Sequence, residues 1–177
     1  LTLEPGVLFK SSGALYIDGA LDVQGSAASP VVFTSWQDDD YGGDSNDDGG
    51  NTLPSPGNWS GIQVRGQGRA AFNYALIRYA QTGLYGYADG AADRRVELAL
   101  RNSIVESCSG DGINIQDGDQ NQRSSLLLIK SIVRNNNNGL VVQTAGNINV
   151  SLQTNQFTGN TQCGVANWSA DPMIDAR

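Results

Sequence analysis

Between Asp38 and Gly50 the chain reads Asp38-Asp39-Asp40-Tyr41-Gly42-Gly43-Asp44-Ser45-Asn46-Asp47-Asp48-Gly49-Gly50. Asp44, Asn46 and Asp48 offer a side-chain oxygen at every second position, and Gly49 permits a sharp turn at the sixth. This is how a short loop wraps oxygen ligands around a hard cation such as Ca²⁺. The twelfth position holds Ser55 instead of an acid, so Asp38, Asp39 or Asp40 must complete the shell. Clustered like charges also occur as plain solvated loops. Six uncompensated carboxylates in one tight loop repel one another, which favours the metal. The expected site is therefore Ca²⁺ held by Asp38, Asp39, Asp40, Asp44, Asn46 and Asp48.

Other reactive constellations are sparse. The chain has no His, which removes the commonest general base and excludes a Ser-His-Asp triad. No G-x-S-x-G, H-E-x-x-H or phosphate-binding loop occurs. Asp111 with Asp117, and Asp89 with Asp93, are the carboxylate pairs a glycosidase would need. Each lies in or beside a Gly-rich turn, where Asp serves simply as a turn former. Lys130 and Arg134 could supply the base of a lyase, but nothing around them predicts the lowered pKa such a base requires. Cys108 and Cys163 match no zinc pattern.

Composition limits the remaining choices. Charged residues make up 16% of 177, below the usual quarter, whereas Gly contributes 22 residues. Low charge with abundant Gly and Asn suits many short strands joined by tight turns. The net charge is −7 and no basic run of five exists, so no nucleic-acid partner is expected. No apolar run reaches membrane-span length, and no signal peptide is visible. The start at Leu1 and the abrupt end at Arg177 suggest a piece of a larger protein.

The elements that must hold the acidic loop follow from periodicity. Val7/Phe9, Leu15/Ile17, Leu21/Val23 and Val31-Val32-Phe33 alternate at period two between turn signals, predicting strands of three to five residues. The second half repeats. Ile77, Val105, Val133 and Phe157 recur at spacings of 28, 28 and 24, each followed by a polar turn, a Gly and a short apolar run. Periods in the twenties with Gly/Asn turns and no helix-bearing unit predict a parallel β-helix.

Stacked coils align equivalent residues into columns. Ala80, Cys108, Asn136 and Asn160 fall in one column, where Asn136 over Asn160 predicts a buried amide ladder. Cys163 lies about two coils from Cys108, roughly 10 Å away, so no disulfide between them is expected. Leu84, Ile113, Leu140 and Val165 are expected to point inward. The outward column then holds Tyr87, Gln116, Gln143 and Trp168, flanked by Tyr85 and Asn114. Aromatic rings beside amides suit sugars, by stacking on C–H faces and bonding hydroxyls.

The opening segments Leu1 to Lys10, Gly13 to Gly25 and Ser29 to Ser35, the acidic insertion, and Gly57-Asn58-Trp59-Ser60-Gly61-Ile62 resemble bacterial secreted right-handed parallel β-helix proteins, the pectate-lyase-like solenoids. The ending Pro172 to Arg177 is similar to the stretch that precedes an Asn-Asn-Trp-Trp-Gly motif in that family; the motif itself is missing. The resemblance implies an all-β right-handed solenoid over residues 1–177, with an insertion at 36–57. It implies no particular activity.

The expected protein is a calcium-stabilised scaffold module, secreted or at the cell surface, with polysaccharide as the ligand its outward face suits. A polysaccharide lyase or glycoside hydrolase is the alternative. End-to-end self-association of open coils is a further expectation.

Overall fold

The computed structural model describes residues 1–88, 94–118, 123–144, 148–167 and 173–176, with Thr144 and the last stretch described by backbone alone. Its strands in chain order are β1 (Thr2–Leu3), β2 (Leu8–Ser11), β3 (Ala14–Ile17), β4 (Ala20–Gln24), β5 (Val31–Ser35), β6 (Gly61–Arg65), β7 (Arg69–Asn73), β8 (Ala75–Arg78) and β9 (Leu84–Ala88). They continue as β10 (Glu97–Arg101), β11 (Ile104–Glu106), β12 (Asp111–Asp117), β13 (Ser125–Ile129), β14 (Ile132–Arg134), β15 (Asn138–Thr144), β16 (Asn149–Gln153), β17 (Gln156–Thr158), β18 (Cys163–Asn167) and β19 (Met173–Ala176). No helix occurs among the described residues, so none there is long and apolar enough to cross a membrane.

Every third strand pairs, always in parallel. The first sheet runs β1-β4-β7-β10-β13-β16-β19, the second β2-β5-β8-β11-β14-β17 and the third β3-β6-β9-β12-β15-β18. Successive strand triplets therefore stack as coils of a parallel β-helix. The register reproduces the repeat: Ile77 lies against Val105, Val105 against Val133 and Val133 against Phe157.

Alternation places one side of each strand inside. Leu84, Ile113 and Leu140 are fully buried in the common core with Phe33, Phe72, Ile77 and Trp59. Val165, expected inward, is instead 38% exposed. It lies on β18, and no further strand of its sheet covers it among the described residues. Near the other end, Phe9 packs between Phe33 and Trp59 at centroid distances of 6.0 and 6.2 Å.

Corners are turned economically. From the first sheet to the second, one or two residues suffice, and in each corner a single residue makes the bend: Tyr74, Asn102, Lys130 and Thr154 each sit alone in the left-handed region, with φ between 48° and 56°. Leaving the second sheet, Tyr79, Ser107, Asn135 and Gly159 take the same conformation.

Polar ladders run beside these corners. Asn136 is 1% exposed; its Oδ1 accepts the Cys108 amide at 2.9 Å and its Nδ2 donates to Asn160 Oδ1 at 3.1 Å. The expected Asn ladder is thus present, with Cys108 as its buried neighbour. Both cysteines are free thiols. Next to the ladder, Gly83, Gly112 and Gly139 leave no room for a side chain. A Cβ on each would lie 2.6, 2.9 or 2.3 Å from the carbonyl oxygen of the next glycine in the column.

A second ladder was not anticipated. Ser103 Oγ accepts the Ala75 amide, Ser131 Oγ the Ser103 amide, and Asn155 Oδ1 the Ser131 amide, at 3.0, 3.2 and 3.0 Å. The signal was visible: each serine immediately precedes a repeat strand at the 28-residue spacing.

Candidate functional site: the acidic insertion and the outward face of the third sheet

The chain leaves the second sheet at Ser35 and re-enters the third at Gly61. Trp59 closes the excursion. It is 1% exposed, bridges to Ala80 and donates its indole Nε1–H to Arg78 O at 2.8 Å. Two residues later Gly61 adopts φ 94°, where a Cβ would stand 1.7 Å from Thr82 O; only glycine fits this entry into β6.

The insertion does not stand away from the solenoid. Alternation puts Val32 and Thr34 on the outer side of β5, yet they are 4% and 0% exposed, so the strand is buried on both faces. The covering segment runs from Asp38 to Gly43. Thr34 Oγ1 donates to Asp38 Oδ2. Lys10 Nζ donates to the carbonyls of Tyr41 and Gly43 at 3.1 and 2.8 Å. Gly42 lies so close to Leu8 that a Cβ would meet its Cδ2 at 2.5 Å. The Arg78 guanidinium lies 5.7 Å from the Tyr41 ring centroid and 3.7 Å from Asp38 Oδ2.

Arg78 also faces Glu106 at 4.0 Å, and Glu106 in turn binds Arg134 at 2.7 Å. Register places Arg78, Glu106 and Arg134 in one outward column of the second sheet. Charges in this column alternate in sign, the stabilising arrangement for neighbours across strands.

Beyond the clasp, the chain folds its carboxylates together. Ligand-capable oxygens of Asp39, Asp44 and Asp48 all lie within 4.8 Å of one another. Asp44 accepts the amides of Asp48 and Gly49 at 3.1 and 2.7 Å. Asp48 accepts those of Gly50, Asn51 and Thr52 at 2.8, 2.9 and 3.0 Å. The hydrogen bond from the Thr52 hydroxyl lowers the Asp48 pKa most, and it stays ionised accordingly. Asn46 turns its Nδ2 to Asp48 Oδ2 at 2.7 Å, leaving its Oδ1 buried without a partner. Asp39 Oδ1 is likewise buried and unpartnered.

Of the six expected metal ligands, Asp39, Asp44 and Asp48 converge, and Asn46 is bonded to one of them. Asp38 is engaged instead by Thr34 and Arg78, while Asp40 is exposed. Oxygen-only donors of this kind fit Ca²⁺, which accepts carboxylate and amide oxygens in irregular geometry.

The outward column of the third sheet has the expected register. Tyr87 pairs with Gln116 and Gln116 with Gln143, while Tyr85 pairs with Asn114. Trp168 lies outside the described residues. Tyr85 and Tyr87 stack on each other, with centroids 6.1 Å apart and planes 10° from parallel. Tyr85 donates its hydroxyl to Gln116 Oε1 at 2.9 Å, and burial raises its pKa. Both columns extend further than expected: Gln63 and Arg65 continue them on β6, and Tyr16 on β3. Arg65 lies 4.0 Å over the Tyr16 ring and binds Asp18 at 2.9 Å.

The one described carboxylate pair of the kind a glycosidase needs does not converge. Asp111 and Asp117 begin and end β12, about 20 Å apart along an extended strand, against the roughly 5–10 Å a glycosidase uses. Asp89 and Asp93 lie outside the described residues. Lys130 turns an exposed corner, and Arg134 is committed to Glu106.

No protein-family model, curated protein or solved structure matches this chain. Its class therefore rests on architecture: an all-β parallel β-solenoid with one acidic insertion.

Proposed function

We propose that this is a calcium-stabilised β-helix module of a secreted or cell-surface bacterial protein, serving as a rigid scaffold. One observation carries the calcium reading. Three carboxylates meet in the insertion, with Asp39 Oδ1 and Asn46 Oδ1 buried and without a hydrogen-bond partner. A buried acceptor without a donor costs on the order of 1–3 kcal/mol, and a cation ligated by Asp39, Asp44, Asp48 and Asn46 removes that cost. Extracellular calcium is concentrated enough to fill even modest sites, which is the support for secretion. The resemblance of the opening segments to secreted β-helix proteins points the same way.

The scaffold would present the third sheet to polysaccharide. Tyr85, Tyr87, Asn114, Gln116 and Gln143, extended by Tyr16, Gln63 and Arg65, form two part-exposed columns along the stack. Adjacent strands are spaced about 4.8 Å apart, close to the rise of one sugar unit, so a glycan would lie along the solenoid axis. Calorimetry with Ca²⁺, followed by a glycan array with and without the ion, tests both parts. Absence of calcium binding would reject the metal. Failure of every glycan would leave a scaffold without this ligand. Release of unsaturated uronate, read by ultraviolet absorbance, would replace the scaffold reading with a lyase.

A further inference from the structure

We propose that the insertion is a calcium-operated strap whose seating hides the outer face of the second sheet. This rests on the calcium reading above and adds a regulatory consequence to it. Asp38 and Asp39 are consecutive but face different tasks. Asp38, with its side chain 0% exposed, is held against Thr34 and Arg78 on the solenoid. Asp39 belongs to the carboxylate cluster. The anchor and the ion site therefore share one stretch of backbone, and ordering one orders the other.

The anchors by themselves are few, and the Thr34 hydroxyl supplies the one hydrogen bond that Asp38 takes from a side chain among the described residues. Lys10 donates to two carbonyls, and the Arg78 Nε–Asp38 contact at 3.7 Å is longer than a hydrogen bond. Arg78 Nε and Asp38 Oδ1 are both buried without a hydrogen-bond partner. Against these contacts stands the repulsion of three converging carboxylates and the freedom of four glycines, Gly42, Gly43, Gly49 and Gly50, all at positive φ. Removing the ion leaves that repulsion to act directly on Asp39, next to the anchor. The strap then lifts and uncovers Leu8, Val32 and Thr34, with Lys10 and Arg78 freed of the partners the strap supplied. The coils beneath do not depend on it, because their ladder bonds run from strand to strand.

The test uses Val32→Cys in a Cys163→Ser background. Val32, 4% exposed, lies in register beside Leu8, against which Gly42 of the strap packs, and makes none of the anchoring bonds; Cys108, 3% exposed in the core, serves as the internal control. In saturating Ca²⁺ the new thiol should resist alkylation; in chelator it should react at least tenfold faster while Cys108 stays unmodified. Lys10→Met should raise the rate in the presence of Ca²⁺. If Val32→Cys fails to fold, hydrogen exchange over residues 37–41 of the unmodified protein gives the same readout. Calcium binding by calorimetry with equal alkylation rates in both conditions overturns the strap and leaves the ion site standing. No calcium binding overturns both. Loss of Cys108 protection in chelator would mean that the coils themselves open, which also rejects a strap.

Discussion

Asn136 hands a hydrogen bond to Asn160 one coil further on, Nδ2 to Oδ1 at 3.1 Å, while its own Oδ1 takes the amide of Cys108 one coil back. One side chain thus links three coils, since it holds two backbone groups of the preceding coil, the Cys108 amide and Val105 O at 3.4 Å, together with the Asn160 side chain of the next. In a solenoid each coil touches only its neighbours, so such a link bears directly on coil-to-coil cohesion.

Asn136→Ala should therefore destabilise the protein by about 2–3 kcal/mol, because it strands the buried Cys108 amide. Asn160→Ala, at a part-exposed position near the end of the stack, should cost about half as much. Urea denaturation of the two variants measures the difference; equal losses would argue against burial as the cause.

Thr154 turns its corner at φ 56°, where a β-branched residue is strained. Thr154→Asn should stabilise by roughly 0.5–1 kcal/mol, because Asn tolerates the left-handed region by bonding locally. Asn102→Thr should lose a similar amount at the equivalent corner, where φ is 51°. Thermal melts of both variants check the sign.

Burial pushes the Cys108 thiol from 9.0 up to about 12. The folded state holds this proton longer than the unfolded state does. The stability contributed is complete below about pH 9 and is lost as pH rises toward 12, at about 1.4 kcal/mol per pH unit. Cys108→Ala should flatten that part of the stability profile, as followed by denaturant titrations from pH 8 to roughly 10.5 within that window. An unchanged slope would assign the alkaline loss elsewhere.

Burial likewise raises the pKa of Asp117, which is 3% exposed and has an unpartnered Oδ1. Its charged form is the costly one in the folded state, so stability is present at low pH and lost as pH rises through the folded pKa. Asp117→Asn keeps the oxygen that accepts the Ser124 amide at 3.3 Å. The variant should melt higher than the parent at pH 7 and level with it at pH 3, about one unit below the ordinary Asp pKa.

Chelation should lower the melting temperature of the parent, because an ion bound only to the folded state stabilises by mass action, about 2.7 kcal/mol at a hundredfold excess over Kd. Asp39→Asn should abolish the calcium-dependent shift, whereas exposed Asp40→Asn should keep it. Asp39 is the cleaner probe, since Asp48 also organises the loop by accepting three backbone amides.

What the sequence disclosed was whatever repeats. Ile77, Val105 and Val133 recur every 28 residues and Phe157 follows after 24; counting from these anchors placed Asn136 over Asn160, and counting from the glycine that opens each following strand placed Tyr87 beside Gln116. The docking of the insertion was not legible, because Asp38 meets Thr34 and Arg78 through a single excursion that nothing else in the chain repeats. Six aspartates in a row of thirteen residues look interchangeable on paper. Only the fold separates Asp38, which grips the solenoid, from Asp39, which faces its fellow carboxylates. The Ser103–Ser131–Asn155 ladder was legible in principle, but serine beside a strand is too common to stand out without the register.

The tight corners at Tyr74, Asn102, Lys130 and Thr154 also govern where this architecture can accept new sequence. A corner one or two residues long has little slack, and one added residue that slips the next strand would turn that strand's side chains inside out. The gap from Ser35 to Gly61, by contrast, absorbs a long excursion while Phe33 still meets Ile77 in register. Grafted peptides or reporter loops belong at that edge of the coil, where the molecule has already shown that it can carry a passenger.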